Sequence, residues 1–69
     1  MYQFRKQLGR YLREKRGDTT LKQFAGKLGI SDSTLQRLEI GQQNITIDTL
    51  ELLMKQLKCN FGDIFDLSK

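Results

Sequence analysis

The chain has 69 residues, with 12 Lys and Arg against 8 Asp and Glu, a net charge of +4. It has no histidine and one cysteine, Cys59, so a zinc site, a histidine-based triad and an internal disulfide all lack their usual residues. No apolar run approaches the ~20 residues that cross a bilayer, and Arg5, Lys6 and Arg10 interrupt the place where a secretory signal would begin. The expectation is therefore one small domain over residues 1–69, in the cytoplasm, with no cofactor, no metal, no membrane contact and no enzymatic activity. A core this small is near the limit for folding without cross-links, and association with a second copy would help it.

Helix 1 is predicted from Gln3 to Arg16, where Phe4, Leu8, Tyr11 and Leu12 form an apolar stripe at i, i+4, i+7 and i+8. Lys6, Arg10 and Arg13 recur on roughly the opposite side, and Gly17 is a natural stop. Residues 1–16 carry six positive charges and one negative; the remainder carries six positive and seven negative. This basic helix suits a polyanion, and from charge alone it suits a solvated face equally well.

After a polar connection, Thr20 and Gln23 match a capping box that opens helix 2 at Leu21, and the helix ends at Leu28. Phe24, Ala25 and Leu28 form its apolar stripe. Gly26 inside it costs about 1 kcal/mol relative to alanine, and a close approach of a neighbouring backbone is one explanation. Gly29 stops the helix, Ile30 plugs the turn and Ser31 is the N-cap for helix 3, Asp32 to Ile40. Stepping ~100° per residue places Leu35 and Leu38 inward. Ser33, Gln36, Arg37 and Ile40 face outward, with Asp32 at the edge. Residues 21–40 thus form two short helices about a glycine break, the pattern of a helix-turn-helix.

Gly41 to Ile45 reads as a loop, and Thr46 caps helix 4, Ile47 to Lys58. Ile47, Leu50, Leu53, Met54 and Leu57 are expected inward; Leu52 is off this stripe, either facing a partner or simply exposed. Asn60 and Asp63 open a short fifth helix that carries Phe61, Ile64 and Phe65, and Asp66 to Lys69 is a tail. With no proline and no strand alternation, the fold class is all-α: five short helices around one core.

Residues 8–65 resemble the phage-repressor and Cro-like (XRE-type) helix-turn-helix family. The resemblance is carried by FAGKLGISDSTLQRLEIG, residues 24–41, followed by ITIDTLELLMKQLKCNFGDIF, residues 45–65. It implies a lambda-repressor-like fold and a sequence-specific DNA-binding transcriptional regulator, a repressor, that places its third helix in the major groove as a dimer. Matched by position, Asp32, Ser33 and Arg37 fall on base-reading residues, and the geometric face adds Gln36. Arg37 is the leading reader, because its fork can take both major-groove acceptors of a guanine. Ser31 and Thr34 match positions near phosphate or a thymine methyl, although Ser31 is first an N-cap and Asp32 suits the helix dipole equally well. Thr20, Lys22, Arg10, Gln42, Gln43 and Asn44 complete the expected backbone-contacting set. Leu52, Phe61, Ile64 and Phe65 are dimer candidates, with core packing the competing use of the last three.

The family acid matched by Glu39 pairs with an arginine of helix 1. Arg13 fits if the connection to helix 2 is one residue longer than usual. Arg16 fits with a connection two residues shorter, and it preserves the apolar-Gly-x-x-apolar spacing of Leu8, Gly9 and Leu12. Arg16 also borders the apolar stripe, which favours it. Two departures bear on function. Leu21 stands where the family often has a glutamine, and the loop from Gly41 to Asn44 carries no charge. Positive charge must then come mainly from helix 1, Lys22 and Lys27, so a shallow salt dependence is expected. A protein-interaction module, or an antitoxin-type partner protein, on the same fold with weak or lost DNA binding is the competing function, since residues 31–40 carry a net −1 and the loop after them is neutral.

Overall fold

A computed structural model describes residues 4–42 and 45–65, and these form five helices with no strand among them. They are α1 (Phe4–Arg16), α2 (Leu21–Leu28), α3 (Asp32–Glu39), α4 (Ile47–Leu57) and α5 (Phe61–Ile64). Gln3, the predicted start of helix 1, and the tail from Asp66 lie outside the described residues. None of these helices is long and apolar enough to cross a membrane.

Local chemistry sets the boundaries. Thr20 and Asn60 head capping boxes at α2 and α5, while Ser31 and Thr46 cap α3 and α4 with their hydroxyls. At the other ends, Ile40 has left the helix and Lys58 adopts a left-handed conformation with φ of 54°, so α3 and α4 each finish one residue before the predicted end.

The core is Leu8 and Leu12 of α1, Phe24, Ala25 and Leu28 of α2, Leu35 and Leu38 of α3, Leu50 and Leu53 of α4, and Ile64 with Phe65. Ile47 was expected among them but is 70% exposed. It is the first residue of α4, and its rotation about the axis is right while its position along the axis lies beyond the end of the core. Phe65 stacks against Phe61 at 4.6 Å and takes the edge of Phe4 at 5.3 Å, which ties α5 to the start of α1. Ile64 and Phe65 therefore fill this chain's own core. Of the four dimer candidates, Phe61 remains exposed and Leu52 half-buried.

A close backbone approach, one explanation for Gly26, does not occur there, since a Cβ would meet nothing within 4 Å. It occurs instead at Gly9, where a Cβ would stand 2.5 Å from the Glu39 carbonyl oxygen and 2.6 Å from that of Leu38. Gly9 is what lets the last turn of α3 lie on α1.

Tyr11 packs half-buried on the same helix, with the Lys15 ammonium 5.4 Å from its ring centroid. Burial, then neighbouring Cys59 and Asp63, push its phenol from 10.0 to about 12. The unfolded phenol ionises first, so this contribution to stability is whole below pH 10 and is lost as the pH rises to about 12. Tyr11→Phe should flatten that alkaline loss, measured as the change in urea midpoint between pH 8 and pH 11. An unchanged slope would contradict the assignment.

Candidate nucleic-acid interface

The turn between α2 and α3 is closed by backbone bonds. Gly29, at φ of 79°, donates to the Gly26 carbonyl at 3.3 Å, and Ile30 donates to the Ala25 carbonyl at 3.1 Å. These two bonds satisfy the carbonyl end of α2 and reverse the chain within two residues. Ser31 then accepts from the Thr34 N–H at 3.1 Å and donates to the Thr34 hydroxyl at 2.8 Å. Its hydroxyl is thus committed to the cap. Thr34 is half-buried beside the start of α4, in a cleft it shares with Thr46 and Thr49.

The far end of α3 closes in the same way. Gly41 donates to the Leu38 carbonyl at 3.2 Å, and Gln42 donates to the Arg37 carbonyl at 3.0 Å. Leu35 and Leu38 anchor the inner side, so the helix has little freedom to roll.

Its orientation is fixed by Glu39, whose side chain is 6% exposed. Arg16 Nε donates to Glu39 Oε2 at 2.8 Å and Nη2 donates to Oε1 at 3.1 Å, while Nη1 reaches the Thr19 carbonyl at 3.1 Å. This two-point pairing resolves the choice between arginines in favour of Arg16, and the bond to Glu39 raises the Arg16 pKa further. Arg13 is exposed.

What α3 leaves outside is Asp32, Ser33, Gln36 and Arg37, all exposed. Asp32 Oδ1 accepts from the Ser33 N–H at 3.1 Å, which engages the carboxylate with the positive end of its own helix. The side chains of Ser33, Gln36 and Arg37 form no hydrogen bond or ion pair with any described residue. Ile40, next in line, is 55% exposed. A helix with its side chains is about 10–12 Å across, and a major groove about 12 Å wide admits one.

A helix-turn-helix family model matches residues 10–64, from the second turn of α1 to the last residue of α5. The chain belongs to the XRE-type helix-turn-helix family. It is accordingly a DNA-binding regulator, of a family that is generally not enzymatic. No curated protein and no solved structure gives a match.

Within this helix-turn-helix the expected backbone-contacting residues separate. Thr20 and Lys22 are exposed at the head of α2, with the Thr20 hydroxyl accepting from the Gln23 N–H at 3.1 Å. Gln42 keeps an exposed side-chain amide although its N–H is committed; Gln43 and Asn44 lie outside the described residues. Arg10 is turned away from α3 and lines a cleft with Tyr11, Asp63 and Ile64 on the α5 side. The rotation of α1 decides this, because Gly9 must face α3. Gly9 in its apolar-Gly-x-x-apolar setting was the sequence signal for that rotation.

Proposed function

We propose that this chain is a sequence-specific regulator that seats α3 in the major groove and acts as a repressor, in the compartment that holds the DNA. The observation that carries the reading is the uncommitted side-chain set Ser33, Gln36 and Arg37 on a helix held at both ends and along its inner face. Groups without internal partners are the ones that can bond to base edges at no cost to the fold. Arg37 reads a guanine, Ser33 and Gln36 take adjacent base edges, and the amide of Gln42 with Thr34 meets backbone oxygens. Repression needs only occupancy of the site, so no further surface is required of the protein.

The protein acts as a two-fold dimer, which doubles a recognition surface of three or four side chains and spaces two copies of α3 one DNA turn apart. Phe61 is the leading contact, since its ring is 42% exposed beside Phe65. Sedimentation at micromolar concentration, with and without DNA, checks this; a monomer under both conditions removes the dimer.

The base-reading assignment is tested by selecting genomic fragments with the purified protein at about 100 mM salt, then repeating with Arg37→Ala. One bidentate guanine contact is worth about 1–3 kcal/mol, so the variant should bind its selected fragment about ten- to a hundred-fold more weakly and accept other bases at one position. Preference surviving intact would take Arg37 off the reading face. No enrichment by the parent would favour the protein-interaction reading, to which the net −1 of residues 31–40 gives a specific basis.

A further inference from the structure

The contact that fixes α1 against α3 also selects two of the basic residues of α1. Gly9 lies under the Leu38 and Glu39 carbonyls. On a helix the residues three before and four after share its face, one turn away on either side. For Gly9 these are Lys6 and Arg13. The chain leaving α3 turns at Gly41, with φ of 74°, and packs there against α1: a Cβ at Gly41 would lie 3.6 Å from Lys6 Cγ and 3.7 Å from the Arg5 carbonyl oxygen. Lys6 and Arg13 are both exposed, and neither pairs with an acid among the described residues. Meanwhile the stretch from Gly41 to Asn44 carries no cation of its own.

We infer that Lys6 and Arg13 form a DNA-phosphate clamp that α1 delivers to the C-terminal end of the recognition helix, supplying the charge that the following loop lacks. The inference rests on the proposed seating of α3 in the major groove. Bracketing the last turn of α3, two flexible cations about 10 Å apart along α1 can reach phosphates of the strand that borders the groove. Arg10 is a built-in contrast. It has the same charge and neighbours both residues on the helix, but it stands about 100° from Gly9, against about 60° for Lys6 and about 40° for Arg13, and it lines the cleft with Glu14 and Asp63. A competing use for Lys6 and Arg13 is to neutralise the carbonyl end of α3, which would appear in stability and not in salt dependence.

The test titrates a selected fragment and a random duplex over about 50–200 mM salt with the parent, Lys6→Gln/Arg13→Gln and Arg10→Gln. Each phosphate contact contributes about 0.9 to the slope of log affinity against log salt, so the double variant should lose about 1.8. Both DNAs should weaken alike, with base preference unchanged, and Arg10→Gln should keep the parent slope. Single variants should each lose about 0.9, and Lys6→Arg/Arg13→Lys should restore the parent slope, which separates charge from folding. An equal loss of slope in Arg10→Gln would overturn the clamp in favour of general charge. A lowered Tm with an unchanged slope would overturn it in favour of helix-end neutralisation. A parent that binds neither DNA would sink the major-groove reading and the clamp together, whereas binding with parent slope in the double variant sinks the clamp alone.

Discussion

Gly9→Ala is expected to destabilise the chain by about 2–3 kcal/mol, although alanine is the better helix former by about 1 kcal/mol. The added methyl would sit 2.5 Å and 2.6 Å from two backbone carbonyl oxygens of α3. Backbone cannot swing aside as a side-chain tip can, so α3 must lift from α1 along its last turn. That movement also strains the Arg16–Glu39 pair and opens the packing around Leu38. Gly26→Ala provides the opposite sign. Gly26 is exposed and helical, with nothing within 4 Å of the new methyl, so this exchange should stabilise by about 1 kcal/mol. For a domain of this size each kcal/mol moves Tm by roughly 4–8 °C, so thermal unfolding followed by circular dichroism resolves both changes. If Gly9→Ala raised Tm as Gly26→Ala does, the close contact between α1 and α3 would be wrong.

Those two glycines also mark where reading the sequence stops. Capping residues announced themselves, because a cap is a bond between residues three apart: Thr20, Ser31, Thr46 and Asn60 all head their helices. The helix-turn-helix at Gly29 was legible for the same reason. A glycine within a helix carries no such local mark: the sequence does not distinguish Gly26, which has open space, from Gly9, where the contact lies. The angular pattern of α4 put Ile47 inward, but an angle about the axis says nothing of where along it the core ends. Phe61, Ile64 and Phe65 were legible as apolar residues and not as to what they cover; packing gives two of them to this core. Arg10, Lys6 and Arg13 read as one basic face. Only the rotation of α1, set by Gly9, divides that face between the α3 side and the α5 side.

Removing Arg16 should cost the fold more than removing the charge of Glu39, although both changes break the same pair. Glu39 is the enclosed member, its side chain 6% exposed against 21% for Arg16. Arg16→Met leaves this largely enclosed carboxylate with no counter-charge, and an unpaired charge held away from water costs more than a lost bond. Glu39→Gln leaves an acceptor for the guanidinium, and Arg16 can otherwise turn towards water. The double variant Arg16→Met/Glu39→Leu should then regain part of what Arg16→Met loses, since replacing both members by apolar groups removes the stranded charge. Thermal unfolding of the parent, Arg16→Met, Glu39→Leu and the double variant forms a cycle, and strictly additive losses would contradict the pairing. The pair also has a consequence for recognition. It is the side-chain bond that registers the outer face of α3 against α1, so loosening it should blur base preference more than it lowers affinity for random duplex. Phosphate contacts tolerate a small rotation of α3, whereas a bidentate arginine–guanine contact does not.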